Sequence, residues 1–240
     1  MTVCGYTPAR DRKKLVYEIG AVFGQTSRLR YHLTPEDTFE LMAHMYDIPH
    51  DRYVERKQYL IAKFAIEELL HRPIRKLSLG QRMKCELVAS LLHTPKILFL
   101  DEPTIGLDII AKSMLREVIN EINREEGTTI FLTSHDIGDI EKVCERVVII
   151  NHGIILYDGS IQELRKQHVP VRYIILTLSP GQKLQPLPSM EVTSQEENIY
   201  HLRIPNDVVQ QVLSHITAKH HIEDISIQEP SIEEIIKTFY

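Results

Sequence analysis

The sequence predicts an α/β fold in which a mostly parallel sheet carries an inserted helical region and is followed by a small C-terminal α+β appendage. The apolar runs ILFLD, TTIFLTS and RVVIIN are rich in β-branched and aromatic residues, as in strands buried on both faces of a parallel sheet. Helical stretches separate these runs and supply the crossovers that parallel strands need. Around Pro170 the composition shifts toward proline and polar residues, which indicates the appendage.

The remaining elements follow in order along the chain. IGAVFG is a short apolar run that suits a buried strand. Thr34 can cap the next helix, with Pro35 at its first position, and a helical region extends over residues 31–93. Ser78 and the glutamine three residues later have the spacing of a capping box, so they predict the start of another helix. HGIILYDGS is predicted as an edge strand, and the appendage as two strands, a helix, a strand and a final helix.

Composition and charge exclude several classes of protein. Of the 240 residues, 43% are hydrophobic and 25% are charged, as in an ordinary globular protein. The net charge of −5 argues against a nucleic-acid partner, because such proteins expose basic surfaces to phosphates. No apolar run approaches the ~20 residues of a membrane-spanning helix and no signal peptide is evident, so we expect a cytoplasmic protein. Three scattered cysteines suggest neither a disulfide framework nor a zinc site.

Two acidic residues end the predicted strand ILFLD. Asp101 is suited to bind a magnesium–phosphate complex, directly or through water, and Glu102 is suited to take a proton from an attacking water. His135 follows the next predicted strand, at the same carboxyl edge where open α/β folds bind ligands. By itself, an apolar run that ends in two acidic residues is also an ordinary strand end. Together the three residues predict nucleotide hydrolysis.

The helix predicted to begin at LSLGQ offers an anion site. Ser78 has a free hydroxyl there, and the first N–H groups of a helix attract phosphate. A simple helix cap is the alternative interpretation of this segment. Farther along the chain, Pro103 and Gly106 predict a tight turn that leaves Asp108 on an exposed loop.

Taken in order, these motifs resemble those of the ATP-binding cassette (ABC) ATPases. Gln25 after a strand, LSLGQ, ILFLDEP, GLD and TSHD are similar to the glutamine loop, signature, Walker B motif, D-loop and switch histidine of that family. The resemblance covers roughly residues 1–168 and implies a P-loop NTPase-like ABC core. Segments such as LSLGQRMKCELVASLLH and LTSHDIGDIE further resemble the subfamily whose ATPases energise ABC-2-type, often exporter-like, permeases.

The resemblance implies ATP and Mg²⁺ as ligands. It implies that Glu102 is the catalytic base and that His135 holds the γ-phosphate. Asp101 and Gln25 would serve the Mg²⁺ ion, and Gln25 would also sense the attacking water. Further nucleotide contacts are implied for residues of the signature and the D-loop, namely Ser78, Gly80, Gln81 and Asp108. Of these, Asp108 would cross to a partner subunit.

The sequence departs from the family pattern at two places. Leu79 replaces the glycine common in the middle of the signature, but Ser78 and Gly80 remain. The phosphate loop G-x-x-x-x-G-K-[ST] is also missing, because none of the ten glycines is followed by lysine. In the family that loop precedes the glutamine loop. We therefore expect it upstream of Met1 and expect the ATPase domain to be N-terminally incomplete.

The sequence thus predicts the ATP-binding and ATP-hydrolysing subunit of an ABC-type membrane transporter, peripheral on the inner face of the cell membrane. Transmembrane permease subunits and a second ATPase subunit, arranged head to tail, are the implied partners. Residues 1–168 would form the ATPase domain and residues 169–240 an accessory domain. The alternative is a truncated or degenerate cassette that acts as a half-site or regulatory partner. The chain alone is expected to be inactive, because it has no phosphate loop.

Other nucleotide-dependent classes fit less well. DNA-repair and chromosome ATPases with similar signatures need long coiled coils or zinc insertions, and tandem translation factors need a second cassette. LSLGQ occurs once in the sequence, and neither kind of insertion is present. LSLGQ and the acidic charge balance also disfavour a DExx helicase.

Overall fold

The chain forms two compact units, Met1–Cys144 and Glu145–Tyr240. The computed structural model describes residues 1–24, 27, 29–168, 171–228 and 232–237. Each unit has a hydrophobic core of its own. The predicted domain boundary between residues 168 and 169 falls inside the second unit and stays a prediction.

The first unit is organised around a parallel sheet. Its strands are β1 (Ile19–Phe23), β2 (Ile97–Asp101) and β3 (Thr129–Thr133), in the order β1-β2-β3. The strands are in register, so their last residues Phe23, Asp101 and Thr133 are neighbours at the carboxyl edge. The expectation that TTIFLTS is buried on both faces is wrong, because exposed and half-buried residues alternate along β3.

Helices accompany this sheet, and those between residues 31 and 93 form the inserted region. The helices are α1 (Arg12–Leu15), α2 (Pro35–Met45), α3 (His50–Phe64), α4 (Leu79–Leu91), α5 (Ile109–Glu126) and α6 (Ile137–Val143). Short 3-10 helices lie at Val16–Glu18, Glu67–Leu69 and Ile74–Lys76. The predicted starts of α2 and α4 are confirmed, since Thr34 and Ser78 both form capping boxes. Within the described part of the chain, no helix combines the length and the apolar character that crossing a bilayer requires.

Apolar residues of the helices and of β2 form one continuous core. Its buried side chains include Phe39, Leu60, Ile74, Leu87, Leu91, Leu98, Leu100 and Ile122. Arg56 of α3 adds polar links: its guanidinium donates to the Leu91 carbonyl at 3.1 and 3.2 Å and to the two Glu126 carboxylate oxygens at 2.7 and 2.9 Å. These contacts join α3 to the ends of α4 and α5. The helices that begin at LSLGQ and at Asp108 are therefore fixed to one another.

The second unit begins with a hairpin. Strands β4 (Arg146–Asn151) and β5 (Ile154–Ser160) pair antiparallel and are followed by α7 (Ile161–His168). The prediction that RVVIIN belongs to the parallel sheet is wrong, because β4 pairs with β5 in a separate two-stranded sheet. Val147 and Ile149 are buried, whereas Val148 and Ile150 are exposed. Because apolar residues occupy both faces of β4, the sequence alone does not reveal that only one face is buried.

A four-stranded antiparallel sheet forms the rest of the second unit. Its strands are β6 (Val171–Leu178), β7 (Glu191–Glu196), β8 (Ile199–Pro205) and β9 (Ile222–Gln228), in the order β7-β8-β6-β9. Helix α8 (Val209–Lys219) follows β8, and α9 (Ile232–Lys237) follows β9. The α+β character is as predicted, but three strands precede α8 where the sequence predicts two, and β7 is the additional strand. All of its residues are exposed, so it lacks the apolar alternation that marks a strand.

Candidate functional site

The carboxyl edge of the parallel sheet brings the predicted catalytic residues together. Asp101 ends β2, Glu102 follows it, and His135 lies two residues beyond the end of β3. The Glu102 N–H donates to the Thr133 carbonyl at 3.0 Å, and the Gly24 N–H donates to the Asp101 carbonyl at 2.7 Å. These backbone bonds continue the pairing just past the ends of the strands. The site is therefore held by the sheet itself.

Glu102 and His135 contact each other directly. Glu102 Oε1 lies 3.6 Å from His135 Nε2, and the His135 backbone N–H donates to Glu102 Oε2 at 3.3 Å. The Glu102 side chain is 15% exposed, whereas the His135 side chain is 95% exposed. The carboxylate is mostly covered while the imidazole stands in solvent, which leaves the imidazole free to meet a ligand.

The backbone at Glu102 adopts a left-handed conformation, with φ of 52°. For a residue with a side chain this conformation costs about 1–2 kcal/mol. The neighbouring Gly24 is so close that an added Cβ would lie 1.9 Å from the Glu102 carbonyl oxygen. Close backbone packing thus holds Glu102 in an unusual conformation, as is frequent at functional sites.

Asp101 presents its carboxylate to solvent at the end of β2. Thr133 Oγ1 donates to Asp101 Oδ1 at 2.6 Å, and among the described residues Oδ2 accepts no hydrogen bond. Mg²⁺ prefers such oxygens and commonly combines one or two carboxylates with waters and substrate phosphates. The described residues contain no group of three or more His, Cys, Asp and Glu side chains placed to hold a metal ion. Asp101 therefore fits a Mg²⁺ ion that arrives with a nucleotide.

A second group of predicted residues gathers where α4 begins. The Gln81 N–H donates to Ser78 Oγ at 3.2 Å, and the Ser78 N–H donates to Gln81 Oε1 at 3.0 Å. Ser78 is exposed, and a Cβ added to Gly80 would lie 3.5 Å from Ala111 Cβ. The start of α4 thus packs beside the start of α5 and leaves Ser78 accessible.

Asp108 is the N-cap of α5. Its Oδ1 accepts from the Ala111 N–H at 2.8 Å, and the residue is exposed, as predicted. The next two side chains, Ile109 and Ile110, are 86% and 74% exposed. Asp108 therefore stands at the edge of an apolar surface, with one carboxylate oxygen engaged in the cap.

The loop around His135 is tied to α5. Asp136 caps α6 by accepting from the Gly138 N–H at 3.0 Å, and Lys112 Nζ donates to its Oδ2 at 2.6 Å. The hydrogen bond from Lys112 is the first cause that lowers the pKa of Asp136 below its ordinary value. The ion pair between Lys112 and Asp136 thus attaches the C-terminal side of the His135 loop to α5.

The structure brings Asp101, Glu102 and His135 together, while Gln25 lies outside the described residues. Sequence reasoning missed Thr133, although its place at the end of β3, opposite the end of β2, was a signal for it. It also missed the buried Asp139, one helical turn after His135. The residues of the second group are joined among themselves. In the described part of the chain, no side-chain hydrogen bond or ion pair links them to the first group.

Two families match the chain. Residues 5–105 match the family described as ABC transporter, and residues 159–237 match the family described as ATP-binding protein DrrA1-3-like, C-terminal domain. The chain therefore carries an ABC transporter segment followed by a DrrA1-3-like C-terminal domain. The ABC match includes the start of α4 as well as Asp101 and Glu102, whereas Asp108 and His135 lie beyond its last residue.

Two relatives of this chain come from Bacillus subtilis (strain 168). The ABC transporter ATP-binding protein NatA is 28% identical over 164 residues, which cover 68% of this chain and 66% of NatA. The linearmycin resistance ATP-binding protein LnrL is 28% identical over an alignment of 247 positions, which covers 98% of this chain and 78% of LnrL. The chain therefore spans 66% of the length of NatA.

A solved ABC structure confirms the predicted fold class. It is cbiO1 from Clostridium perfringens, part of the ABC transporter complex cbiONQ, with a TM-score of 0.59 and 29% identity. The alignment covers 65% of this chain and 62% of cbiO1. The parallel sheet and the helices around it are thus those of an ABC ATP-binding subunit.

Proposed function

We propose that this chain is the ATP-binding and ATP-hydrolysing subunit of an ABC-type membrane transporter, which couples nucleotide-driven dimerisation to substrate movement by a separate permease. The observation that carries the proposal is the contact of Glu102 with His135 beside Asp101. A mostly covered carboxylate, an exposed imidazole and an exposed carboxylate stand at one edge of the sheet. They suit a proton transfer, a phosphate and a metal ion, respectively. Relatives named as ABC transporter ATP-binding proteins support the proposal.

Each residue at this edge has one task in the proposal. Asp101 holds Mg²⁺ through a carboxylate oxygen, and the ion, when bound, neutralises phosphate charge. Glu102 takes a proton from water, and its hydrogen bond from the His135 N–H orients the carboxylate. The exposed imidazole of His135 donates to the γ-phosphate. Gln25, assigned by resemblance, completes the contacts to Mg²⁺ and water.

We infer that a second ATPase subunit binds, head to tail, on the surface where α4 and α5 begin. Ser78 is exposed there, and the first N–H groups of α4 form an anion site that a partner's ATP can reach. Ile109 and Ile110 beside it are largely exposed, and contiguous exposed apolar residues commonly mark an interface. Nucleotide contacts are also assigned to the remaining residues at these helix starts, Gly80, Gln81 and Asp108.

The finer proposal is an exporter-like cassette on the inner face of the cell membrane. Its support is the alignment of LnrL, a linearmycin resistance ATP-binding protein, with 98% of this chain. Transmembrane permease subunits are the proposed partners, because the fold neighbour cbiO1 is part of a transporter complex. Nucleic acid is not among the proposed partners, in keeping with the net charge of −5.

We also propose that the 240-residue chain by itself does not turn over ATP. None of its ten glycines is followed by lysine, so the sequence contains no phosphate loop to hold the β- and γ-phosphates. The same observation favours a second candidate function. In that case the chain is a half-site or regulatory partner that lends Ser78 and Gly80 to an intact cassette.

The catalytic proposal is tested by phosphate release from MgATP in a chimera that carries a phosphate-loop segment ahead of Met1. We expect turnover in the common enzyme range of ~1–10³ s⁻¹. Glu102→Gln should keep ATP binding but lose at least about tenfold in turnover, because the amide cannot accept the proton, and His135→Ala should lose as much. The chain without the added segment should release phosphate no faster than its own Glu102→Gln variant. A folded, ATP-binding chimera without Glu102-dependent turnover would overturn the catalytic role.

ATP-dependent association separates the two candidate functions. The chain is mixed with an intact cassette subunit, and complex formation is followed by light scattering with and without ATP. Ser78→Arg should abolish association, because a bulky cation fills the space that a phosphate approaches. Ser194→Arg, on the exposed strand β7, is the matched control and should associate like wild type. Equal association of both variants would mean that LSLGQ is only a helix cap. Association without turnover in the chimera would favour the half-site role.

A further inference from the structure

A buried carboxylate lies behind the candidate site. Asp139, on α6, is 1% exposed. Arg116 of α5 donates to its Oδ1 from Nε at 2.6 Å and also from Nη2. Thr104 Oγ1 and Ser134 Oγ donate to Oδ2, the latter at 3.1 Å. A charge taken out of water is costly unless it is paired and hydrogen-bonded, and Asp139 has both kinds of partner.

Each donor to Asp139 comes from a different segment of the site. Thr104 lies two residues after Glu102, and Ser134 immediately precedes His135. Arg116 is on the helix that Asp108 caps. The segments that carry Glu102, His135 and Asp108 therefore converge on a single carboxylate.

The direct contacts between Glu102 and His135 are too weak to fix their geometry. The side chains approach to 3.6 Å, and the backbone hydrogen bond is 3.3 Å long. The His135 side chain is also 95% exposed, so no packing holds it. The relative placement of the two residues must therefore come from the residues that flank them.

We propose that Asp139 and Arg116 are positioning residues that hold the His135 loop in register with Glu102. The proposal rests on the proposed ATPase function and adds residues that act through Glu102 and His135 without touching the nucleotide. Thr104 and Ser134 carry the effect, because each bonds to Asp139 and is joined to a catalytic residue by one or two peptide units. Arg116 neutralises Asp139 and anchors it to α5.

A purely stabilising ion pair would behave differently on substitution. Replacing both members of a buried pair by apolar residues of similar size is often neutral for stability. The double variant Arg116→Met/Asp139→Leu should therefore still fold, with a loss of stability that comes from the Thr104 and Ser134 hydroxyls, which lose their acceptor. If the pair only stabilises, the loop stays ordered in this variant. If the pair positions the loop, the loop loosens in the folded variant at temperatures well below its melting temperature.

Backbone order parameters from NMR on the full chain measure this without nucleotide. In wild type we expect values of about 0.85 at Ser134 and His135, typical of rigid backbone. In Asp139→Asn and in the double variant we expect values below about 0.6. The control is Glu121→Gln, on the same helix as Arg116. It removes an ion pair with Lys63 that lies away from the loop, so it should leave the order parameters of Ser134 and His135 unchanged. Loop order equal to wild type in the double variant would overturn the proposal.

The chimera with a phosphate loop supplies a second readout. Asp139→Asn should lower kcat at least about tenfold and change the KM for ATP less than about threefold, since the variant disturbs the catalytic pair and not the phosphate loop. Unchanged kcat would also overturn the proposal. If the chimera with all natural residues shows no turnover, the ATPase function fails, while the NMR result still reports on the tie between Asp139 and the loop.

Discussion

Gly24 shows how closely the backbone is packed around the candidate base. Its N–H bonds to the Asp101 carbonyl, and the space where a side chain would begin is filled by the Glu102 carbonyl. The conformation of Glu102 therefore depends on a residue without a Cβ that immediately follows the neighbouring strand β1. This dependence is open to a direct test.

Gly24→Ala should destabilise the chain by about 3 kcal/mol, the upper part of the range for overpacking, because the obstructing atoms are backbone. Urea denaturation measures the loss. Gly127→Ala is the control: its φ of 66° strains a side chain, but no atom lies within 4 Å of the added Cβ. That variant should lose only about 1 kcal/mol. Equal losses of stability in the two variants would show that the backbone at Glu102 can move away from an added methyl group without a cost in free energy.

His93 makes stability depend on pH. Its ring stacks on Tyr46 with centroids 3.9 Å apart, and its Nε2 donates to the Ile19 carbonyl at 3.0 Å. Burial is the first cause that lowers the His93 pKa below its ordinary value of 6.5. As pH falls, His93 is therefore protonated in the unfolded chain before it is protonated in the folded chain. The contribution of His93 to stability is present above pH 6.5 and is lost as pH falls through the folded pKa.

His93→Phe should flatten the fall in unfolding free energy as pH decreases below 6.5, because phenylalanine keeps the stacking on Tyr46 and does not titrate. Chemical denaturation at several pH values gives the slope. His32→Phe changes an exposed histidine and should keep the wild-type slope. The same slope in wild type and His93→Phe would contradict the assignment.

Among the elements, α3 connects the ends of α4 and α5 through Arg56. The side chains of Arg56 and Glu126 are 14% and 17% exposed, so the pair is largely shielded from water. Arg56 also satisfies the Leu91 carbonyl at the end of α4. Loss of this arginine therefore leaves acceptors on two helices without their partner.

Arg56→Met should lower the free energy of unfolding by about 2–3 kcal/mol, as expected for charged hydrogen bonds to shielded groups. A double-mutant cycle with Glu126→Gln isolates the part that belongs to the pair. The control is Lys96→Met: Lys96 is 65% exposed and pairs with Glu18, so its loss should cost much less stability than the loss of Arg56. If Arg56→Met costs no more than the control, α3 is not the connector.

The elements that depend on neighbouring residues were predictable from sequence. The capping boxes of α2 and α4 each need only residues i and i+3, so Thr34 and Ser78 were identified correctly. The meeting of Asp101, Glu102 and His135 was also predictable, because parallel strands share a carboxyl edge. The pairing of β4 with β5 was not, since strand partners are chosen by contacts distant in sequence. Asp139 was missed for the same reason, because its donors lie on other segments.

At the scale of the whole molecule, the second unit carries an exposed apolar hairpin. Val148, Ile150, Ile154, Ile155 and Leu156 are between 40% and 65% exposed. Exposed apolar patches on short strands favour association with other chains. We therefore expect the purified chain to self-associate at high concentration.

Ile150→Thr/Ile154→Thr should reduce this self-association in sedimentation velocity runs without ATP, since threonine keeps the β-branched shape and adds a hydroxyl. Ile109→Thr/Ile110→Thr is the comparison, because it changes a different exposed pair, at the start of α5. It should leave the ATP-independent association in place. A concentration-independent monomer in wild type would contradict the expectation.

The left-handed backbone conformation at Glu102 lowers the stability of the fold at the residue that the proposed ATP hydrolysis requires. Glycine adopts a φ of 52° without strain, so Glu102→Gly should raise the free energy of unfolding by about 1 kcal/mol. A library randomised at position 102 and sorted by resistance to protease should therefore enrich glycine. The same library sorted by ATP turnover, once a phosphate loop is supplied, should return glutamate. Comparing the residues that the two selections enrich at position 102 would show whether glutamate is kept there for ATP hydrolysis at the expense of stability.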